Sequence, residues 1–310
     1  MSAVGDPGRR VFPFMQVDAF THRALGGNAC AVVFEADSLD DGMRQSIARE
    51  MNLSETAFVQ RAESADVAAR YFTPATEIPL AGHPTIATVF ALFESGRLSL
   101  DGAVTRISLE LKVGPIDVEV HARDGRVERV VMSQLRPEFL ARYDAREVLP
   151  IFGLSHDDAL PGVSPQTVST GTPQLMVALA SHDALRRIKV DTDAYAAFEE
   201  AGDFFSPHLF ALGGATDAGA TFARHVGALP GGAEDPFTGS ATGGMAAYLW
   251  HYNLIDTARF VAEQGHWMGR PGKAFVEVVG GRDAIETVKV GGEAVTVVRG
   301  ELDLERAEAI

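Results

Sequence analysis

Short apolar runs separated by glycine-rich or polar turns dominate the chain and predict many strands. The first run covers 11–20, and a second, 29–34, follows a turn with two consecutive glycines. The segment 38–51 has a different pattern, because its apolar positions recur every four residues and Ser38 precedes them as a candidate N-cap. The start of the chain therefore predicts two strands followed by a helix.

Two later segments, 86–93 and 245–250, are apolar at almost every position. Each follows a loop rich in Gly and Pro that also carries polar residues, 79–85 in the first case and 234–244 in the second. Pro84 suits the first turn of a helix. An apolar surface on all sides predicts a helix that is buried on all sides.

Each buried helix is flanked by short strands, so the two parts of the chain share one plan. At 310 residues the chain exceeds what one hydrophobic core usually serves, and two similar α+β halves are expected. The further strands predicted are 56–60, 67–72, 105–111, 116–121, 127–132, 167–169, 175–180, 209–213, 220–225, 259–263, 274–279, 287–290 and 294–300. If strands wrap each helix, the two helix N-termini can face one cleft and hold an anionic group with their free N–H groups.

Composition narrows the classes of function. The 42 acidic and 27 basic residues give a formal charge of −15, which disfavours binding to nucleic acid or anionic lipid. The single cysteine, Cys30, excludes a disulfide framework and a cysteine-based zinc cluster within one chain. No apolar stretch is long enough for a membrane span, and the first ten residues lack the apolar core of a signal peptide. We therefore expect a cytoplasmic protein.

Several short strings occur in an order that resembles the PhzF-like family of phenazine biosynthesis, from about residue 11 to about residue 300. They are Gln16-Val17-Asp18-Ala19-Phe20-Thr21, Gly27-Asn28-Ala29, Asn52-Leu53-Ser54-Glu55-Thr56, Arg70-Tyr71-Phe72-Thr73-Pro74, Gly82-His83-Pro84-Thr85, Ser169-Thr170-Gly171, Asp235-Pro236-Phe237-Thr238-Gly239-Ser240-Ala241, Gln264-Gly265 and Gly269-Arg270. Each string is weak alone, but the ordered set is specific.

The resemblance implies the diaminopimelate epimerase-like fold, in which each domain is a strand barrel around a central apolar helix. The active site then lies in the cleft between the domains. On this chain the halves correspond to 11–130, completed by a C-terminal strand near 285–300, and 131–284. The resemblance also implies a homodimer, no cofactor and no metal. The expected activity is that of an isomerase that moves a proton between carbons of a small carboxylate-bearing metabolite.

The matching motifs carry the expected site residues. The expected catalytic residues are Glu55, His83, Asp235 and Ser240, and the expected substrate-binding residues are Asn28, Gly82, Gly171 and Gly239. Glu55 matches the family's catalytic glutamate, and one carboxyl group can deliver and remove a proton on the same face of a substrate. His83 is expected to bind substrate or hold a proton, and Ser240 to orient a carboxylate.

Other chemistries find less support in the sequence. The string Gly239-Ser240-Ala241-Thr242-Gly243 is not the Gly-x-Ser-x-Gly elbow of a hydrolase, and the nine histidines show no metal-binding spacing. A two-thiol racemase is disfavoured because only one cysteine is present. The alternative that stays open is a non-catalytic small-molecule-binding or interaction protein with the same fold.

Overall fold

The computed structural model describes residues 9–229 and 233–305, which form a mixed α/β fold with a large sheet. Its strands are β1 (Arg9–Ala19), β2 (Asn28–Val33), β3 (Glu55–Gln60), β4 (Val67–Phe72), β5 (Glu77–Ile78), β6 (Val104–Leu111), β7 (Gly114–Arg123), β8 (Arg126–Ser133), β9 (Glu138–Arg142), β10 (Gln166–Ser169), β11 (Pro173–Leu179), β12 (Ser206–Leu212), β13 (Thr221–Leu229), β14 (Ala233–Asp235), β15 (Arg259–Gln264), β16 (Gly272–Gly281), β17 (Ala284–Gly292) and β18 (Ala294–Glu305). The helices are α1 (Asp41–Met51), α2 (Gly82–Glu94), α3 (Ala145–Val148), α4 (His182–Arg187), α5 (Thr192–Ala201) and α6 (Gly239–His251).

One detail of the first predicted helix is wrong. Helix α1 begins at Asp41, and its N-cap is Asp40, whose carboxylate accepts a hydrogen bond of 2.8 Å from the Met43 N–H. Ser38 lies in a separate 3-10 turn and accepts a hydrogen bond from Arg10 instead. Both residues are good caps, and the sequence alone did not distinguish them.

The strands are hydrogen-bonded into one continuous series. From one end to the other the order is β9, β10, β11, β12, β13, β15, β16, β17, β8, β7, β6, β4, β3, β2, β1 and β18, with β5 added to β4 and β14 added to β13. The C-terminal strand β18 thus pairs with β1, at the opposite end of the chain.

The two sides of this series repeat each other. β2 and β3 are parallel and joined through α1, and β11 and β12 are parallel and joined through α4 and α5. β4 and β6 are parallel across α2, as β13 and β15 are across α6. The pairing order therefore contains the architectural repeat that the sequence suggests. The predicted boundary at 130/131 falls inside β8, and the division into two domains stays a prediction.

The two apolar segments form the helices that the pattern predicts. Every residue of α2 from Gly82 to Phe93 is buried, and α2 contacts β1, β2, β3 and β8. Helix α6 is buried along most of its length and contacts β10, β11, β16 and β17. Their side chains belong to the main hydrophobic cluster, in which burial of each large aliphatic or aromatic side chain contributes about 1.5–3 kcal/mol. Among the described residues, no helix combines the length and apolar character needed to cross a bilayer.

Candidate active site

Glu55 and His83 come together at the edge of a cavity. Glu55 is the first residue of β3, just after the left-handed turn at Asn52 that ends α1, and His83 lies in the first turn of α2. Glu55 Oε2 lies 3.1 Å from His83 Nε2. The angles at this contact are poor for a hydrogen bond, and neither atom has a hydrogen-bond partner in the described part of the chain. Both side chains are largely buried, with 16% of Glu55 and 4% of His83 exposed.

Burial determines the charge of this pair. It raises the pKa of Glu55 well above its ordinary value, and the nearby charge of Asp235 raises it further. Burial also lowers the pKa of His83 to about 3, against a smaller opposing contribution from the backbone of Ala29. The imidazole is therefore neutral at pH 7, and burial favours the protonated form of Glu55. Because the imidazole carries no charge, the contact is not an ion pair.

Asp235 is a second buried carboxyl group with a different environment. It accepts hydrogen bonds from Thr238 Oγ1, from Ser54 Oγ (3.0 Å) and from Asn28 Nδ2 (2.8 Å). Burial raises its pKa from 3.8 to about 6, although these three hydrogen bonds lower it, and the charge of Glu234 adds to the rise. With a pKa of about 6, Asp235 is mainly ionised at pH 7. Glu55 lacks the hydrogen bonds that favour the charged form of Asp235, and burial raises its pKa.

Asn28 lies between Asp235 and His83. Its Nδ2 lies 2.8 Å from Asp235 Oδ1, 2.9 Å from the Phe237 carbonyl and 3.3 Å from His83 Nδ1. An amide nitrogen has two hydrogens, so the two shorter contacts use them and the contact with the imidazole is not a donated bond. Asn28 is 1% exposed and supports the site from behind.

The N-termini of α2 and α6 meet at two glycines. A Cβ atom on Gly82 would lie 2.9 Å from the Cα and carbonyl carbon of Gly239 and 2.9 Å from the Ser240 nitrogen. A Cβ on Gly239 would lie 3.2 Å from Gly82 Cα and 2.8 Å from the Phe20 ring. Glycine at both positions lets the helix starts come into backbone contact, as a shared anion site at these ends requires.

A cavity of about 410 Å³ lies beside these groups. Four of the expected site residues line it: Glu55, Gly171, Asp235 and Ser240. Apolar side chains form much of the rest, namely Ile78, Pro79, Leu80, Pro173, Phe204 and Phe205. None of the described lining residues is Lys or Arg. This volume is within the range of small-molecule sites.

The other four expected residues lie behind the lining. Asn28, Gly82, His83 and Gly239 are buried and are not among the described residues that line the cavity. His83 contacts the lining residue Glu55, and Gly82 and Gly239 lie at the contact between the two helix starts. Gly171 has a φ of +127°, which favours glycine.

A larger groove, of about 510 Å³, lies elsewhere on the sheet and contains none of the expected residues. Arg129, Phe275 and Lys289 are among its lining residues. Among the described residues, no group of three or more His, Cys, Asp and Glu side chains is arranged to hold a metal ion. The chemistry that can be read from the structure is therefore centred on Glu55 and Asp235.

Comparison with known proteins assigns the chain to a family. The sequence profile of the phenazine biosynthesis-like proteins matches residues 17–300. The chain belongs to this family. It is 34% identical over 296 residues to the trans-2,3-dihydro-3-hydroxyanthranilate isomerase of Pseudomonas fluorescens, covering 94% of this chain and 99% of that protein. The uncharacterized isomerase YddE of Escherichia coli is 32% identical over 298 residues, covering 93% and 97%.

A solved structure agrees with this assignment. The PhzF-family phenazine biosynthesis protein of Bacillus anthracis superposes with a TM-score of 0.83 at 29% identity, covering 94% of this chain and 99% of that one. The predicted family is confirmed, and its curated relatives are named isomerases, which supports an isomerase here. The roles of the individual site residues stay predictions.

Sequence reasoning missed several polar residues of this PhzF-like site. Ser54 and Thr238 both donate to Asp235. Each lies inside a string that carries the family resemblance, next to an expected residue, so that proximity was the available signal. Gln174 and His225 also line the cavity, and nothing in their local sequence pointed to the site.

Proposed function

We propose that this protein is a cofactor-independent isomerase that moves a proton between carbons of a small carboxylate-bearing metabolite. Glu55 is its single acid/base. The observation that carries the proposal is the setting of Glu55, a buried carboxyl group that lacks a hydrogen-bond partner, lines the cavity and has a pKa raised by burial. A proton held in this way can be transferred to a substrate atom without first breaking a hydrogen bond within the protein.

The proton shift is balanced with one carboxyl group. The Glu55 O–H bond breaks as the electrons of a substrate double bond form a C–H bond on one carbon. The Glu55 carboxylate then removes a proton from a second carbon on the same face, and the electrons of that C–H bond form the shifted double bond. This restores the acid and gives a product with the same charge as the substrate. His83 Nε2 lies 3.1 Å from Glu55 Oε2 with no hydrogen bond between them, and in this proposal the imidazole limits the positions that the acid can occupy.

Neutral donors bind the substrate carboxylate in this proposal, because the cavity offers no described cationic side chain. Ser240 Oγ lies in the first turn of α6 and makes no hydrogen bond within the described residues. Free N–H groups at the adjoining starts of α2 and α6 add to it. Ionised Asp235 is suited to a substrate amine or hydroxyl donor.

We also propose that the halves 11–130 and 131–284 are two domains, with β18 completing the first, and that the cavity lies between them. In support, Glu55 comes from one half and Asp235 from the other, and both line the cavity. The pairing of β18 with β1 and the repeated strand order support the same division. The homodimer and the cytoplasmic location stay predictions.

The test is incorporation of deuterium from deuterium oxide into candidate substrates, followed by mass spectrometry. The named substrate of the relative, trans-2,3-dihydro-3-hydroxyanthranilate, is the first compound to use, followed by small cyclic amino and hydroxy acids. We expect Glu55→Gln to slow incorporation by about 100-fold or more. Glu50→Gln, at an exposed acid nearby on α1, serves as the matched control and should keep the wild-type rate.

The outcomes separate the isomerase from the binding protein that the sequence left open. Exchange by wild type and by Glu50→Gln but not by Glu55→Gln supports the proposal. Equal exchange by wild type, Glu50→Gln and Glu55→Gln means that another group carries the proton. Tight binding of these acids with no exchange by any variant identifies a binding protein.

A further inference from the structure

The two halves can be aligned by their strand pairing. In this alignment Gln174 and Ser206 of the second half occupy the positions of Cys30 and Glu55 in the first half. Strands β2 and β3 pair Cys30 with Glu55, and β11 and β12 pair Gln174 with Ser206. The next pairs support this alignment, because Ala57 faces Tyr71 in one half where His208 faces His225 in the other. Ser206 is thus the counterpart of Glu55. Ser206 lies two residues before His208, and Glu55 lies two residues before Ala57.

The alignment extends to the helix starts. Tyr71 pairs with Ile78 on β5, and His225 pairs with Asp235 on β14. Each of these two partners stands four residues before the first residue of a buried helix, at Gly82 or Gly239. The strands of the second half that correspond to those around Glu55 are therefore β11, β12 and β13, and they form the corresponding side of the cavity.

A chain of buried hydrogen bonds occupies this side. Ser206 Oγ donates to Gln174 Oε1 at 2.6 Å and lies 2.9 Å from His225 Nε2, and His225 Nδ1 lies 3.1 Å from His208 Nδ1. All four side chains are at most 2% exposed. The Ser206 hydroxyl has one hydrogen, which goes to Gln174, so His225 Nε2–H donates to Ser206 and His208 Nδ1–H donates to His225.

The opposite direction of the chain is less favourable. With the Gln174 amide reversed, every proton moves, and His208 Nε2 becomes an N–H group. That atom is buried and has no hydrogen-bond partner among the described residues. A buried donor without a partner is rarer than a buried acceptor without one. The first arrangement, in which His208 Nε2 carries no hydrogen, is therefore favoured.

The amide nitrogen of Gln174 is left with two unused donors. No described residue accepts a hydrogen bond from Gln174 Nε2, and this atom is not among the unpartnered atoms sealed from solvent. Gln174 lines the cavity, so the solvent that Nε2 contacts is that of the cavity. A side chain that is 98% buried thus presents its two N–H groups to the space that the substrate would fill.

We propose that Gln174 is a substrate-binding residue that donates to an acceptor oxygen on the part of the substrate remote from Glu55, and that Ser206, His225 and His208 are positioning residues that hold its amide in this orientation. The inference rests on the proposed function for the choice of ligands. It adds a specificity-determining contact on the wall that the repeat relates to Glu55. A ring ketone or hydroxyl is the type of group that this donor would select.

The experiment compares acids with and without such an oxygen. Isothermal titration of cyclohexanecarboxylate and of its 2-, 3- and 4-oxo derivatives gives the gain in affinity that the oxygen provides. We expect at least one oxo acid to bind wild type about three- to tenfold more tightly than the parent acid, as one net hydrogen bond provides. The gain should fall to about one in Gln174→Leu and in Gln174→Glu, since the latter keeps the acceptor for Ser206 but loses the donors.

Two further variants test positioning. Ser206→Ala leaves the amide without its partner, and we expect it to reduce the gain while leaving the affinity for the parent acid near the wild-type value. Gln166→Leu is the matched control, because Gln166 is also a buried glutamine on the neighbouring strand β10 and does not line the cavity. It should keep the full gain.

The results can overturn this inference separately from the proposed function. If wild type does not prefer any oxo acid, or if Gln174→Leu and Gln174→Glu keep the preference, Gln174 does not donate a hydrogen bond to a ligand oxygen. A Gln174-dependent gain without deuterium exchange contradicts the isomerase alone. Exchange that depends on Glu55 without a Gln174-dependent gain contradicts this inference alone.

Discussion

Asp235 provides a test of the site's electrostatics that needs no substrate. Burial raises its pKa from 3.8 to about 6 in the folded protein, in spite of three hydrogen bonds to its carboxylate. Folding therefore favours the protonated form. The contribution of Asp235 to stability is greatest below pH 3.8, where both the folded and unfolded states are protonated. It decreases as the pH rises to 6, because the unfolded chain ionises first.

The size of this effect follows from the two pKa values. A shift from 3.8 to about 6 corresponds to roughly 3 kcal/mol, at about 1.36 kcal/mol for each pH unit. Asp235→Asn removes the titrating group while keeping an acceptor oxygen for Ser54 and Asn28. The free energy of unfolding of Asp235→Asn, minus that of wild type, should therefore increase by about 2.4 kcal/mol between pH 4 and pH 7, because the unfolded chain is already partly ionised at pH 4. Loss of the Asp235 charge also lowers the pKa of Glu55, which acts in the same direction.

Urea denaturation at several pH values from 4 to 8 measures this difference, with the fluorescence of Trp250 and Trp267 as the signal. Asp158→Asn is the control. The Arg187 guanidinium holds the pKa of Asp158 below its ordinary value of 3.8, so this carboxyl titrates mostly below the assay range, and the difference in stability between Asp158→Asn and wild type should change little from pH 4 to pH 8. Parallel stability curves for wild type and Asp235→Asn from pH 4 to pH 7 would refute the buried, titrating carboxyl group.

Two further predictions concern the packing that holds the site. Gly82→Ala places a methyl group 2.9 Å from the Gly239 backbone, and we expect it to destabilise the fold by about 1–3 kcal/mol, whereas Gly281→Ala, with nothing within 4 Å, should change stability by less than about 0.5 kcal/mol in the same urea assay. Arg270→Met leaves the Asp18 carboxylate, which is 1% exposed and 2.8 Å from the guanidinium, without its cation, and we expect a loss of about 3 kcal/mol. Adding Asp18→Asn to Arg270→Met should recover part of that loss, and a double variant no more stable than the single one would contradict the buried-charge explanation.

The parts of the structure that could be predicted depend on local sequence. An all-round apolar segment after a glycine-rich loop specifies a buried helix, and both predicted segments form one, at 82–94 and 239–251. Glu55 and His83 could be named because each lies in a short, recognisable string. Their 3.1 Å contact could not, since it depends on where β3 and α2 lie relative to one another. The register of long-range pairs is set by packing of the whole fold.

The polar wall around Gln174 was missed for the same reason. Gln174, Ser206, His208 and His225 come from three strands and are separated by up to 51 residues of sequence. None of them lies in a motif, and a glutamine or serine at a strand start is common in any protein. Their significance comes from adjacent strands, where hydrogen bonds of 2.6–3.1 Å connect them.

The same comparison of halves gives a reason for a one-carboxyl mechanism. Inversion by two bases requires a proton-carrying group on each side of the substrate. In the repeat, the position of Glu55 is filled by Ser206 and that of His83 by Ser240, and neither serine ionises near pH 7. Asp235, the remaining carboxyl group from the second half, is held by three hydrogen bonds as an acceptor. In the proposed reaction one half therefore supplies the proton and the other supplies hydrogen bonds, and this arrangement favours a proton shift on one face over racemisation.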